Sequence, residues 1–254
     1  MAAAKRNGSR PREKPQQIAD ELRALIVSGE LNEGDSLGHE PDLVERFRVS
    51  RPSLREALRI LEAEGLISVV RGVRGGVVVH QPDERMTART AALVLQARNV
   101  SLADVSDARG LLEPLAARRI AGMRGRRATI VELRKLVARQ QETIEDPEQF
   151  GPANAAFHER LVSLAGNQTL SIVAEMLNEI VARAVTAVSR GGDAGGSVST
   201  RRRGIRAQER LLELLEAGDG AAAEEHWRNY MQVVGKVMLG QEAATVVDLL
   251  HHHY

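Results

Sequence analysis

The 254-residue chain contains no cysteine, and only 2% of its residues are aromatic. The absence of Cys excludes a disulfide framework, a thiolate metal site and a cysteine nucleophile. An all-β sandwich normally uses many more aromatic and β-branched residues. A core that must be built from Leu, Ala, Val and Ile instead favours a mainly α fold, and the length allows one or two domains with a sizeable core.

Long hydrophobic runs are also absent, because no stretch approaches the roughly 18 consecutive apolar residues of a membrane-spanning helix. The N-terminal residues 1–14 are basic but lack the apolar segment of a secretory signal. The formal net charge of +1 is an average over the chain and does not by itself indicate nucleic-acid binding. We therefore expect a cytoplasmic protein with no membrane partner.

The first part of the chain predicts three short helices. Apolar residues recur at helical spacing within residues 14–28, and a glycine follows them. Pro41 is well placed for the first turn of a second helix. Ser50 can cap a third helix that begins at Arg51, with Pro52 again near the first helical position.

After the third helix the apolar period changes from 3.6 to 2, which predicts a β-hairpin. Residues 66–71 and 76–80 are the two expected strands, and they flank a glycine-rich tip. Three helices followed by such a hairpin are typical of a winged helix-turn-helix, here over residues 14–80. We expect residues 1–13 to be a disordered basic arm.

The rest of the chain predicts an all-α helical bundle. Short breaks that contain Gly, Asn or Asp-Pro separate seven helical segments, a pattern typical of antiparallel helices. The predicted helices are residues 85–97, 102–122, 127–145, 151–165, 168–189, 201–217 and 220–240. We assign residues 81–84 to a linker, 85–240 to this second domain and 241–254 to a tail.

The third predicted helix carries basic side chains at a spacing suited to DNA. Arg51 and Arg55 share one helix face, and arginine can donate two hydrogen bonds to guanine O6 and N7. Ser53 lies between them and can contact a phosphate or a base. The hairpin tip adds Arg71, Gly72 and Arg74. Its glycines permit close approach to the DNA backbone or minor groove, although a merely solvated basic face is the alternative interpretation.

The segment from Val49 to Ile67 reads VSRPSLREALRILEAEGLI and resembles the signature of GntR-type bacterial transcription regulators. The sequence RGVRGG at residues 71–76 matches their wing. The helical half resembles the FadR-like branch, whose all-helical effector domain is called FCD. The segments that carry this second resemblance are residues 107–114, 157–159, 165–170 and 216–219. The resemblance covers about residues 14–240 and implies a homodimer that binds a palindromic operator in double-stranded DNA and responds to a small-molecule effector.

Carried over position by position, the DNA contacts of the family fall on Arg51, Ser53, Arg55, Arg71 and Gly72. The family often has a Ser-Glu-Arg triplet at the start of the second helix, where this chain has His39-Glu40-Pro41. Pro41 cannot make the contact of that arginine, so the operator is expected to differ. The basic arm offers compensating phosphate contacts, with a solubilising tail as the alternative.

The resemblance also implies an effector site in the bundle. Many family members bind a metal through an Asp, a His four residues later and two further His, a set that suits Zn, Ni or Mn. The matching positions here are Asn154, His158, Gln208 and Tyr230, of which only His158 is an ordinary ligand. His226 lies one turn before Tyr230 and could partly substitute. We therefore expect no metal cofactor, with a retained metal ion as the less favoured alternative.

Without a metal, the same positions can bind an effector through hydrogen bonds. Arg109 falls where the family has an arginine and could pair with a carboxylate effector or with Glu113. The predicted effector-binding set is Arg109, Asn154, His158, Gln208, His226 and Tyr230. The expected effector is a carboxylate or a lipid-derived metabolite, for example an acyl-CoA.

The sequence features are compatible with more than one function. The favoured one is a dimeric repressor controlled by a metabolite, and a ligand-responsive activator is the alternative. An enzyme is disfavoured because the sequence has neither a nucleophile elbow nor a phosphate-binding loop. A non-specific architectural DNA binder would not need a large and nearly neutral bundle.

Overall fold

The computed structural model of the protein describes residues 13–70, 76–189 and 197–239. Most of the predicted arm, the predicted hairpin tip with Arg71, Gly72 and Arg74, and the predicted tail lie outside these residues. The chain divides into two compact units, one ending at Met86 and the other beginning at Thr87. The prediction of a mainly α protein with a winged helix-turn-helix and a helical bundle is confirmed.

Residues 13–70 and 76–79 form three helices and a small antiparallel sheet. The elements are α1 (Glu13–Val27), β1 (Ser36–Gly38), α2 (Glu40–Phe47), α3 (Arg51–Ala63), β2 (Ile67–Val70) and β3 (Gly76–Val79). The strand order is β1-β3-β2, and Ile67 of β2 lies opposite Val79 of β3. The third strand, β1, was not predicted, because three residues are too few to show an alternating pattern.

Helix α3 is held by its cap and by its apolar face. The Ser50 side chain accepts a hydrogen bond from the Ser53 backbone N–H at 3.3 Å, which satisfies one of the free donors of the first turn. The apolar residues of α3 are buried in one core with the apolar residues of α1. These residues are Leu54, Ala57, Leu58 and Leu61 of α3 and Ile18, Leu22 and Ile26 of α1. This packing fixes the orientation of the opposite, exposed face of α3.

Gly65 ends the turn that follows α3, with a φ angle of +70°. This left-handed conformation favours glycine. A Cβ atom at this position would lie 2.8 Å from the Met86 Sδ atom, so a larger residue would also displace that side chain. The glycine therefore allows both the turn and the close approach of Met86.

The described residues from Glu84 onwards form seven helices, as predicted. They are α4 (Glu84–Ala97), α5 (Leu102–Ala121), α6 (Arg126–Glu142), α7 (Pro147–Ser163), α8 (Gln168–Ser189), α9 (Val198–Ala217) and α10 (Gly220–Leu239). Helix α7 begins earlier than the predicted residue 151, because the Asp146 side chain caps it by accepting the backbone N–H groups of Glu148 and Gln149. Pro147 is tolerated in the first turn, where no intrahelical donor is needed.

Helix α5 lies at the centre of the second unit and packs against α7, α8, α9 and α10. The core around it includes Phe157 and Trp227, whose side chains are fully buried. Within the described ranges, no helix is long and apolar enough to cross a membrane. The central position of α5 brings its polar residues next to side chains from several neighbouring helices.

Candidate DNA interface and effector site

The exposed face of α3 carries the two arginines that the sequence predicts as base contacts. Arg51 and Arg55 are both exposed, on the side of the helix away from the buried Leu54 and Leu58. Arg51 forms no ion pair or hydrogen bond with any residue in the described part of the chain. We call Arg51 and Arg55 the recognition face. Their contact with DNA remains a prediction.

Arg55 differs from Arg51 because a carboxylate from another helix holds it. The Arg55 Nε atom donates to both oxygens of Glu40, at 2.9 Å and 3.1 Å. Glu40 is the first residue of α2, and it lies 15 residues before Arg55 in the sequence. Helical spacing does not predict this pair, because it reveals only partners three or four residues apart.

Ser53 is half-buried, and its hydroxyl group belongs to the helix cap. The Ser53 Oγ atom lies 2.9 Å from the Ser50 Oγ atom, within hydrogen-bonding distance. A DNA group that contacted Ser53 would therefore have to share this hydroxyl group with Ser50. Other cations extend the basic surface, and one of them, Arg46, lies over the Phe47 ring with its Cζ atom 5.5 Å from the ring centre.

A buried carboxylate lies at the centre of the second unit. One Glu113 oxygen accepts a hydrogen bond from Trp227 Nε1 at 2.9 Å and lies 2.7 Å from His158 Nδ1. The other oxygen accepts from Arg109 Nη2 at 3.1 Å. We call Arg109, Glu113, His158 and Trp227 the Glu113 cluster. The predicted alternative in which Arg109 pairs with Glu113 is the arrangement that the structure contains.

The charges of the Glu113 cluster stabilise each other. Burial alone would raise the pKa of the Glu113 carboxyl group. The charges of His158 and Arg109 and the hydrogen bonds from His158 and Trp227 together outweigh burial and lower the pKa below the ordinary value of 4.5. The ionised carboxylate can only accept, so His158 Nδ1 must carry a proton. This fixes the ring orientation, and His158 Nε2 has no hydrogen-bond partner among the residues that the structure describes.

Two of the predicted effector residues belong to a chain of neutral amides. Gln208 and Gln140 are fully buried and exchange two hydrogen bonds, at 2.8 Å and 3.1 Å. Gln208 Nε2 also donates to Asn154 Oδ1 at 3.1 Å. We call Gln140, Gln208 and Asn154 the amide chain. Gln140 was missed in the sequence, although it lies on the same helical stripe as the buried Leu133 and Val137.

Tyr230 lies beside the Glu113 cluster, whereas His226 has a different partner. The Tyr230 and Trp227 ring centres are 4.7 Å apart, and burial together with the negative charge of Glu113 raises the pKa of the Tyr230 hydroxyl group. A Cβ atom at position 204 would lie 3.0 Å from that hydroxyl, so Gly204 allows its close approach. His226 Nε2 donates to the Ala207 carbonyl at 2.8 Å, which joins α10 to α9.

The side chains at the four positions that match the family's metal ligands do not fit a transition metal. The amides of the amide chain are neutral and already bonded to each other, and Tyr230 resists losing its proton. Among the described residues, no group of three or more His, Asp or Glu side chains is arranged to hold a metal ion. His158 is the one ordinary ligand at the four positions, which is insufficient for a tight site.

Buried polar atoms on α5 and α8 lack partners, and this feature was not predicted. Arg109 Nε and both polar atoms of the Asn178 side chain are buried without a hydrogen bond to any described residue. Helices α5 and α8 pack against each other. Buried polar groups normally have a hydrogen-bond partner, so Arg109 and Asn178 each have capacity for a further one.

Comparison with known proteins identifies family models that match both units of the chain. A model of the gntR family of bacterial regulatory proteins matches residues 14–79, and a model of the FCD domain matches residues 104–233. The HTH-type transcriptional regulator LutR of Bacillus subtilis is 26% identical over 219 residues, which are 85% of this chain and 97% of LutR. The Uxu operon regulator of Haemophilus influenzae is 29% identical over 161 residues, which are 63% of this chain and 58% of that protein.

A solved structure shows the same fold. Streptococcus agalactiae GntR superposes with a TM-score of 0.64 at 21% identity, and the match covers 88% of this chain and 99% of that one. The matched families and relatives are transcription regulators and not enzymes. The chain belongs to the GntR family of bacterial regulatory proteins, in the FadR-like branch with an FCD domain, and is a DNA-binding transcription regulator.

Proposed function

We propose that this regulator is a homodimeric repressor that binds a palindromic operator and is controlled by a metabolite bound in its FCD domain. Two copies related by a two-fold axis would place two α3 helices in major grooves about one helical turn apart. Arg51 and Arg55 would read base edges, with Arg71, Gly72 and Arg74 as further contacts and Ser53 in a minor role. A bacterial regulator meets its operator in the cytoplasm, which is the location we propose.

The linker between the two domains falls within residues 81–84 in this proposal. The Gln81 backbone N–H donates to the Glu33 carboxylate at 2.7 Å, and the Gln81 side chain donates to the Leu31 carbonyl at 2.8 Å. Both partners precede α2 in the DNA-binding half. We therefore infer that the linker begins in effect at Pro82, one residue after the predicted boundary.

The buried polar atoms of Arg109 and Asn178 that lack hydrogen-bond partners are the main support for an effector site. An effector that reaches both groups must accept from Arg109 Nε, and it must both donate to and accept from the Asn178 amide. A free carboxylate only accepts, and it would also be repelled by the ionised Glu113. A lipid-derived metabolite with amide groups, such as an acyl-CoA, offers both donors and acceptors. We favour this class over a small carboxylate.

The other predicted positions complete the proposed effector site. His158 Nε2 and the Tyr230 hydroxyl are the remaining candidates for direct contact. Asn154 and Gln208 already bond to each other, and we assign them a supporting role. His226 is bonded to a backbone carbonyl, so we assign it to the support of the same helices.

DNA binding is tested by fluorescence anisotropy with DNA from upstream of the gene and with random DNA at two salt concentrations. A specific regulator should bind the upstream DNA much more tightly, whereas both affinities should fall as salt rises. Equal affinities for both DNAs would contradict sequence-specific binding. The molar mass of the free protein and of the complex, measured by light scattering, tests the dimer.

The effector class is tested by thermal stability with three groups of compounds. Acyl-CoA thioesters should raise the melting temperature, whereas hydroxycarboxylates with and without a divalent metal should not. Asn178→Leu should abolish the response and Asn154→Leu should weaken it less. Stabilisation by hydroxycarboxylates alone would contradict our proposal. An in vitro transcription assay then separates repressor from activator, because a repressor lowers transcript levels and its effector restores them.

A further inference from the structure

We propose that Glu40 is a positioning residue that fixes Arg55 for base readout and thereby sets the base preference at one operator position. This inference rests on the proposed function, because it takes α3 as the helix that reads DNA. No part of the role of Glu40 requires direct contact with DNA. The residue would act only through the side chain of Arg55.

The geometry of the pair leaves the DNA-reading edge of Arg55 available. The Glu40 carboxylate accepts from the Nε atom alone, at 2.9 Å and 3.1 Å. The guanidinium group is planar and has four further N–H donors on its two terminal nitrogens. These make no other hydrogen bond with a described residue. Two terminal nitrogens side by side match the O6 and N7 acceptors of guanine.

The position of Glu40 is itself fixed by the fold. Glu40 is the first residue of α2, and the Asp42 carboxylate accepts the backbone N–H of His39 at 3.3 Å, which stabilises that helix start. Leu43 of α2 is buried in the same core as α3. The carboxylate therefore approaches Arg55 from a neighbouring helix and not from its own, so it can hold the arginine in one orientation.

The other arginines of α3 show that this arrangement is specific to Arg55. Arg51 has no partner among the described residues. Arg59 pairs with Glu56 on the same helix at 3.5 Å, and both side chains are largely exposed. That pair spans one helical turn and restrains neither side chain strongly. Glu56 thus carries the same charge near the same surface without holding Arg55.

A carboxylate beside DNA has an electrostatic cost, and this makes the role testable. Glu40 repels phosphates and so weakens binding to every DNA sequence. Its benefit would be limited to the position that Arg55 reads, because a pre-oriented side chain loses less conformational freedom on binding. Glu40 should therefore increase the discrimination between base pairs at that position more than it changes overall affinity.

The experiment uses the full chain and a DNA duplex selected from random sequences by the wild-type protein. Arg55→Ala first identifies the base pair at which discrimination is lost. The affinities of Glu40→Ala, Glu40→Gln and the double variant Glu40→Ala/Arg55→Ala are then measured on the four duplexes that differ at this base pair. Glu56→Ala is the matched control, since it removes one negative charge from the same surface.

We expect Glu40→Ala to reduce discrimination at that base pair about 2- to 12-fold, the range for ordering one long side chain. Glu40→Gln should retain part of it, because the amide oxygen still accepts from Arg55 Nε. Glu40→Ala should have no further effect at that base pair in the absence of Arg55. Glu56→Ala should shift binding to all four duplexes equally.

Other results would overturn the inference in distinguishable ways. If Arg55→Ala leaves base discrimination unchanged, the assignment of the recognition face fails, and the role of Glu40 fails with it. If Arg55→Ala removes discrimination but Glu40→Ala does not, the proposed function stands and Glu40 only joins two helices. If Glu40→Ala increases discrimination, Glu40 restrains Arg55 away from DNA and our inference is wrong.

Discussion

The protein contains two Arg–Glu pairs of similar length in very different surroundings. In the DNA-binding unit, Arg55 and Glu40 are 2.9 Å apart, and their side chains are 63% and 30% exposed. In the FCD unit, Arg109 and Glu113 are 3.1 Å apart, and their side chains are 13% and 2% exposed. In these two pairs, the same residue types therefore interact in one case in solvent and in the other in a core.

The difference between these pairs explains what each site can do. Water screens the exposed pair, so its contribution to stability is small and the arginine remains available for another anion or base. The buried pair has lost its hydration, and each charge depends on its protein partners. Arg55 thus keeps its terminal nitrogens available to an external group, whereas the Glu113 cluster uses its charges internally.

Removal of one partner from each pair should give the largest difference in stability between the two sites. Glu113→Ala should lower the free energy of unfolding by about 3–5 kcal/mol, because it leaves Arg109 buried without a counter-charge. Glu40→Ala should lower it by about 1 kcal/mol or less. Urea unfolding followed by circular dichroism measures both. Similar losses for the two variants would show that burial does not separate the pairs as described.

The same buried carboxylate should make stability depend on acid pH. The pKa of Glu113 is lower in the folded protein than its ordinary value of 4.5. Its contribution to stability is therefore fully present above about pH 4.5 and is lost as the pH falls through the lower folded-state pKa. This component should be missing from the pH profile of Glu113→Gln and present in that of Glu40→Gln.

Conversion of the FCD site to a metal site tests whether its positions correspond to those of metal-binding relatives. The triple variant Asn154→Asp/Gln208→His/Tyr230→His supplies three ordinary ligands beside His158. We expect Zn²⁺ at about 100 times its dissociation constant to stabilise this variant by about 2.7 kcal/mol. The wild type and a Gln208→His single variant are the controls. Absence of bound metal in elemental analysis of the triple variant would contradict the correspondence.

Removal of each arginine of the recognition face tests whether the exposed cations read bases. Arg51→Ala and Arg55→Ala should each weaken operator binding by about 1–3 kcal/mol and relax specificity at one base pair. Binding to random DNA should change much less. Anisotropy titrations on selected and random duplexes measure both effects. A uniform loss on all sequences would instead identify these residues as phosphate contacts.

The sequence predicted those features that depend on local spacing. The buried stripe of α3 follows from helical periodicity, and its Ser50 cap follows from the residue type that precedes the helix. The pairing of Arg109 with Glu113 was one of two alternatives for an arginine placed by resemblance. Strand β1 was missed because its hydrogen bonds come from β3, about 40 residues later. Local pattern contains no information about such a partner.

The chemistry of the effector site was predictable only in part for the same reason. His158 and Tyr230 were placed by resemblance, and the structure brings both close to Trp227. The hydrogen bonds from His158 and Trp227 to Glu113, and from Gln140 to Gln208, join different helices. Their convergence depends on how the helices pack, which helical periodicity does not specify.

The smallest effect on DNA binding is expected at Ser53, because this residue lies on the DNA-binding helix but has a hydrogen-bond partner within the protein. Its hydroxyl group is 2.9 Å from the Ser50 Oγ atom. We expect Ser53→Ala to weaken operator binding by about 0.5 kcal/mol or less, well below the loss for Arg51→Ala. Ser50→Ala should instead lower the free energy of unfolding by about 1 kcal/mol through loss of the helix cap. If Ser53→Ala weakened binding as strongly as Arg51→Ala, the Ser53 hydroxyl group would have to exchange its contact with Ser50 for a contact with DNA. A hydrogen-bond partner within the protein would then not predict which polar groups are unavailable to DNA.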